Sequence, residues 1–444
     1  MTRHTFPFIG LAAAAACSWG RFDDLKHDTG VDLAEKPSAV TGTVGVAVGA
    51  VQTLGTTEAA AFVASATTPT GLVRFSIAPS GDIGSDGHES QGSGGDLSPI
   101  RPTNTPQSIV AFGDAKFVVG VPSSKQVVAF DNATAGFAGS GDALVTPDNV
   151  LEQTGLAIAV GALPGVGDAT DDIVVVAETR VYVIPDGDPA KQVTVCALRQ
   201  PLSTFSLGNG TVSVRNVAIA SIDGSNKIVV GGAPFSGQGG QVTIMDAPTS
   251  TDTTGTSPPA CTGGFVTGTT DLDAPFALAV GDLDGNGGRN DIVTASQLQT
   301  SGSNPTKVCI YLNVTTSGSP TCTEIAKPDT MASIQSSSLR GARLLITQLE
   351  NSTTPMIVVG DPNAIVETKS AGAVSVYTFS GGTATLSAAL WVAGPDGSEN
   401  FGRDLTGLPF TAGGKTTNIL AVGMKDKVAL YFKVHPSAAD PRTQ

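Results

Sequence analysis

The stretch Gly281–Val293, GDLDGNGGRNDIV, holds the residues of this chain best suited to chemistry. Asp282, Asp284 and Asn286 alternate, so their side-chain oxygens converge if the backbone turns sharply. Gly285, Gly287 and Gly288 permit that turn, because glycine takes positive φ without steric cost. Oxygen ligands at alternate positions suit Ca²⁺. Catalytic groups are scarcer. The four histidines, His4, His27, His88 and His435, all lie outside the span from Gln107 to Val434. A Ser-His-Asp or Cys-His arrangement would need one of them to fold back from the periphery. The adjacent acids Asp23/Asp24 and Asp171/Asp172 read as solvated turn residues rather than an acid–base pair. GGKTT at Gly413–Thr417 lacks the upstream glycine of a phosphate loop, since Pro409 stands there, and a strand-like NILAVG follows it. GVGDAT at Gly165–Thr170 is a partial glycine motif between two strand-like runs.

These loops need strands to position them. Charged residues are only 14% of the 444 and aromatic ones 5%, against 54 glycines and 27 prolines. Short Val/Ile/Leu/Ala runs alternate with Gly, Asp, Ser and Pro clusters, the pattern of an all-β chain. A net charge of −14 argues against nucleic acid, which is bound by neutralising phosphates with Lys and Arg.

The start of the chain reads as an export signal. Arg3 precedes an apolar run from Phe6 to Ala16 that is too short to span a membrane, and AAAC ends at Cys17. That ending resembles a bacterial lipobox, with Ala14 where Leu is usual, and it predicts removal of residues 1–16 and lipidation of Cys17. Ser18 in the next position resembles the pattern sorted to the outer membrane. The other four cysteines are an even number in an exported chain, which favours disulfides. VCIYLNVTTSGSPTCTEI reads as a hairpin and favours Cys309–Cys322, leaving Cys196–Cys261.

Internal repeats decide the architecture. GLAIAVGALPGVGDATDDIVVVAETRVYVI, VRNVAIASIDGSNKIVVGGAPFSGQGGQVTIMD and PFALAVGDLDGNGGRNDIVTAS share one plan. RGARLLITQLENSTTPMIVVGDPN and NFGRDLTGLPFTAGGKTTNILAVGMKDKVALYF follow it, and looser copies begin at Val44 and Gln107. With Val48, Phe112, Val160, Ala220, Val280, Ile346 and Thr406 as markers, the steps are 64, 48, 60, 60, 66 and 60 residues. Seven copies of about 60 residues, each with three clear strands and room for a fourth, predict a seven-bladed β-propeller.

The repeats resemble FG-GAP repeats, the propeller type of the integrin α-subunit head. NFG at Asn400–Gly402, GGAP at Gly231–Pro234 and the D-x-D-G-x-G loop carry the likeness. FG is also clear in AFGD at Ala111–Asp114, and GAP has drifted to GVP at Gly120–Pro122 and GDP at Gly360–Pro362. The resemblance implies that the loop between the first two strands of a blade holds one structural Ca²⁺. Asp282, Asp284 and Asn286 match the first three ligands. A backbone carbonyl near Gly288 follows, and either Asn290 or Asp291 closes the site, one glycine being inserted. GALPGVGDATDD lacks these acids, and ASIDGSNK keeps only Asp223.

The expected organisation is a signal (1–16), a tether (17–30), a propeller (31–434) with a flexible loop at 79–106, and a tail (435–444). Residues 31–40 are the expected fourth strand of the last blade. The expected function is that of a non-catalytic, lipid-anchored protein of the outer membrane or cell surface. Its propeller would bind a protein or polysaccharide, in adhesion or as a scaffold. The alternatives are a propeller-type glycan lyase or hydrolase using loop carboxylates, and an envelope component without a specific ligand.

Overall fold

The structure is a computed structural model. It describes residues 44–51, 54, 57–67, 70–90, 108–113, 116–122, 125–131, 142–145, 153–165, 171–198, 216–232, 240–247, 260–261, 263–267, 274–297, 307–328, 334–336, 340–391, 397, 400–425, 427–435 and 441. The expected signal, Cys17, the tether and the strand at 31–40 lie outside the described residues.

The described residues are nearly all β, in six four-stranded and two three-stranded antiparallel sheets. Each large sheet is a meander along the chain. The first comprises Val44–Ala50, Ala60–Thr67, Thr70–Ile77 and Ile83–Ser90. The second to sixth lie within 108–145, 154–197, 217–266, 274–324 and 343–390. The seventh has three strands, Asp404–Ala412, Lys415–Gly423 and Val428–Tyr431. A small sheet of Ile334–Gln335, Ile365–Val366 and Lys369–Ser370 sits beside the sixth.

The IVV runs explain how so few aromatics make a core. The second strands Asp172–Ala177 and Met356–Asp361 are buried at every position, because both faces of their sheets are covered. Each fully buried Val or Ile contributes about 1.5–3 kcal/mol. Hydrophobic clusters join the sheets in chain order: Val63 with Val119, Val127 with Ile173, Val174 with Ile228, Val229 with Ile292, Val293 with Ile357 and Val358 with Leu420. A further cluster joins Phe62 and Phe75 of the first sheet to Phe410 and Phe432 of the last. This face-to-face succession of small sheets is a β-propeller-type fold.

The quoted glycine motifs meet at these contacts. A Cβ at Gly360 of GDP would run into the carbonyl of Gly402 in NFG, and one at Gly120 of GVP into the carbonyl of Gly155. A Cβ at Gly231 of GGAP would lie 2.6 Å from the carbonyl of Pro275. Glycine on the second strand of one sheet thus lets the chain entering the next sheet pass close by. Gly155 and Gly402 themselves stand at φ +82 and +88. AFGD is not part of this pattern. Phe112 ends the strand Ser108–Phe112 and Gly113 follows it into the turn, so the match to NFG is corrected.

A charged tie accompanies the apolar contacts. Arg343 Nε donates to Asp404 Oδ1 at 2.9 Å, with both side chains buried, and the Val48 N–H donates to Asp404 Oδ2 at 2.7 Å. Asp404 therefore links the sixth, seventh and first sheets.

Two expectations are revised here. The loop at 79–106 contains the strand Ile83–Ser90; residues 91–107 lie outside the described residues. At the expected start of the tail, His435 is fastened. Its backbone N–H donates to Glu350 Oε1 at 2.6 Å, and its Nδ1 lies 2.6 Å from Glu350 Oε2. Both disulfides have the expected partners, Cys196–Cys261 and Cys309–Cys322. The first joins the third sheet to the fourth.

Candidate metal centre

The loop from Asp282 to Asn290 connects two paired strands of the fifth sheet, Ala274–Gly281 and Asp291–Gln297. Gly285 and Gly287, at φ +76 and +86, supply its reversals. Carboxylate oxygens of Asp282, Asp284 and Asp291 lie within 4.8 Å of one another. Calcium–oxygen bonds of about 2.3–2.6 Å put opposite ligands about 5 Å apart, so this spacing suits one ion.

Each carboxylate is already organised by loop N–H groups. Asp282 accepts from Gly285 N and Gly287 N, both at 2.9 Å. Asp284 Oδ1 accepts from Asn286 N at 3.1 Å, and Asn286 Oδ1 accepts from Gly288 N at 2.7 Å. Asn290 Oδ1 is shielded from solvent and has no hydrogen-bond partner. A Cβ placed on Gly288 would lie 2.9 Å from that oxygen and 3.1 Å from Asn286 Oδ1, which brings both amide oxygens to the same turn. An all-oxygen donor set with one orphaned oxygen fits a hard cation. Asp282, Asp284 and Asn286, with Asn290 or Asp291 closing the set, are the residues that would hold it.

Asp291 has a second task. It is fully buried, its Oδ2 accepts from Leu283 N at 2.6 Å and Asp284 N at 3.3 Å, and its Oδ1 accepts from Asn313 N at 2.9 Å. Burial raises its pKa despite these bonds. Asp172 repeats the arrangement in the third sheet, accepting from Leu163 N at 2.9 Å and Asp186 N at 3.0 Å. That loop lacks the acids at the Asp282 and Asp284 positions. The acid at the start of the second strand is therefore a latch that fixes both ends of the loop, with or without a metal-ligand set. It also corrects the reading of Asp171/Asp172 as solvated, since Asp172 is fully buried.

Asn313 is the residue that sequence reasoning missed. Its Nδ2 donates to Asp284 Oδ2 at 2.8 Å, and Asn286 Nδ2 donates to its Oδ1. Its positive φ of 50, matched by Asp186 at 53, is the conformation that aims each N–H at its latch. No spacing rule reaches Asn313, because it follows the third strand of the sheet.

The fourth sheet braces this loop. Ser221 N donates to the Arg289 carbonyl at 3.0 Å. Asp223, in a two-residue turn with Gly224, accepts from Thr316 N at 3.1 Å and Thr316 Oγ1 at 2.5 Å. Those bonds hold its carboxyl below the usual carboxylate pKa. GGKTT proves to be a hairpin turn: Gly413 and Gly414 join strands that pair Ala412 with Lys415.

A comparison with family models finds no match, and a comparison with curated proteins finds none. Solved structures do align. A virginiamycin B lyase from Staphylococcus aureus covers 91% of this chain and 98% of its own, at 11% identity and a TM-score of 0.46. The WD40 domain of Toxoplasma gondii coronin covers 87% and 80%, at 11% and 0.43. U3-55K covers 91% and 98%, at 11% and 0.45.

Proposed function

We propose that this chain is a non-catalytic binding scaffold: a seven-bladed propeller of the FG-GAP type, closed by its last sheet on its first. One calcium ion would sit in the loop of the fifth blade, and the partner would be a protein or a polysaccharide. The observation that carries the reading is the rigid frame around that loop. Its ends are latched by Asp291, its flank is tied to the fourth sheet through Arg289, and its oxygens converge. Close glycine contacts between successive sheets support the FG-GAP assignment. The Phe62–Phe410 cluster supports closure.

In this reading, lipidated Cys17 holds the propeller at the outer membrane or cell surface. Fractionation of cells carrying the full chain tests the anchor, with the chain expected in the membrane fraction and Cys17→Ser releasing it. A photo-crosslinker on the same cells tests for a partner, placed at Asn351, exposed in the turn between the first two strands of the sixth sheet, or at Thr316, exposed beyond the third strand of the fifth. A discrete, calcium-dependent adduct is the expected result. Crosslinking no different from that of a surface position on another sheet would contradict a specific partner.

A further inference from the structure

We infer that the Met245 thioether is an oxidation site, modified by hydroperoxides, that controls access to the Cys196–Cys261 bridge. Met245 Sδ lies 3.2 Å from Cys196 Sγ. A disulfide carries no S–H, so this is a contact between two sulfurs, with the thioether laid directly on the bridge. Met245 ends Gln241–Met245, the third strand of the fourth sheet, whereas Cys196 lies in Val193–Ala197, the outer strand of the third. The sulfur contact therefore spans the same junction as the disulfide. It also accompanies the bond from Cys261 N to the Ala197 carbonyl, at 2.8 Å.

Exposure ranks these sulfurs. Cys196 and Cys261 are 2% and 4% exposed, whereas Met245 is partly exposed and the next residue, Asp246, is fully at the surface. An oxidant arriving from solvent meets the thioether before the bridge. Met356 and Met424 are buried, so Met245 is the most accessible methionine among the described residues. The other bridge differs, since Cys322 is itself partly exposed.

The step is a two-electron oxygen transfer. A lone pair of Met245 Sδ attacks the terminal oxygen of the hydroperoxide, the S–O bond forms and the O–O bond breaks. The proton of the attacked oxygen passes to the leaving oxygen. The thioether is oxidised to sulfoxide, and the hydroperoxide is reduced to an alcohol, or to water when it is hydrogen peroxide. The disulfide exchanges no electrons. Its packing changes, because Met245 sits against an apolar cluster that holds both cysteines, Ile228 and Ala247. A sulfoxide is polar and disrupts such packing, and an oxygen buried there without a donor is costly. Met245 then lifts from the bridge, and an attacking thiolate gains the access on which disulfide exchange depends. Reduction of the sulfoxide restores the cover.

The test treats the purified full chain with hydrogen peroxide and follows each methionine by peptide mapping. Reduction of each bridge by dithiothreitol is then timed by alkylation and mass spectrometry, before and after conversion of Met245. Met245→Leu, a swap of similar volume, keeps the apolar cover and cannot be oxidised. Methionine sulfoxide reductase, applied to the oxidised native chain, gives a second control that needs no variant. Met245 is expected to convert ahead of Met356 and Met424. Its conversion should speed reduction of Cys196–Cys261 about tenfold and leave Cys309–Cys322 unchanged. The reductase should return the native rate, and peroxide should not alter the rate in Met245→Leu. Conversion of Met245 no faster than that of the buried methionines overturns the inference. So does an unchanged rate after conversion, an equal acceleration at both bridges or in Met245→Leu, or a rate that stays high once the sulfoxide is reduced.

Discussion

Asp172 and Asp291 do the same work in two loops of different composition, and neither role is visible from spacing. An acid before an IVV run looks like a turn residue. Its burial becomes intelligible only when the N–H groups of Leu163 and Asp186, or of Leu283 and Asn313, are seen to converge on it. The oxygen-rich pattern Asp282, Asp284 and Asn286 was legible because it is local and alternating. Asn313 was not, because its register comes from strand pairing across the sheet. Burial, with the nearby charges of Asp186 and Asp171, raises the Asp172 pKa above the usual aspartate value of 3.8. The folded state thus holds this proton more tightly than the unfolded state between 3.8 and the folded pKa. The resulting stabilisation is fully present below 3.8 and is lost as pH rises through the folded pKa. NMR titration of the Asp172 carboxyl carbon should give a midpoint above 3.8; one at or below it would mean that the hydrogen bonds outweigh burial.

Strands were easier to read than their contacts. Runs such as IVVVA and MIVVG announce fully buried second strands, and the four-stranded meander follows from turn signals between them. Ile83–Ser90, sequence IGSDGHES, shows no apolar alternation. It is a strand because Thr70–Ile77 offers it a free edge to pair with. The glycine motifs were legible as letters but not as contacts. AFGD has the right spelling in the wrong place, whereas Arg340–Gly341 and Thr154–Gly155 hold the NFG position with other residues before the glycine. Close approach is the requirement, so substitution on the second strand tests it. Gly360→Ala would drive a Cβ into the Gly402 carbonyl, and should destabilise the fold by about 1–3 kcal/mol in denaturant unfolding. Gly381→Ala, where nothing lies within 4 Å, isolates the cost of positive φ at +57 without any clash. A stability for Gly360→Ala equal to that of the native chain would remove close approach as the reason for the motif.

At the scale of the whole molecule, the repeat period foretold a succession of small sheets, and the inter-sheet clusters are the Val, Ile, Leu and Ala contacts that an aromatic-poor chain requires. The polar tie through Asp404 could not be read, since Arg343 and Val48 are 61 and 356 residues away from it. Removing one member of a buried charge pair strands the other. Asp404→Ala should therefore cost about 3–5 kcal/mol and lower the thermal midpoint; a loss below about 1 kcal/mol would deny it a part in joining the sheets. The Cys196–Cys261 bridge spans 65 residues and fixes the third sheet to the fourth. The Asp282–Asn290 loop is tied to that same fourth sheet through Ser221 N and the Arg289 carbonyl, so disulfide and hydrogen bonding brace consecutive parts of one frame, to which the proposed calcium would add. Calorimetric titration of the folded chain with calcium, with thermal melts alongside, tests this account most directly. The account predicts one saturable site that is lost in Asp284→Ala, with stabilisation of about 2.7 kcal/mol at a free calcium concentration about a hundred times Kd. Absence of both binding heat and any melting shift would contradict it.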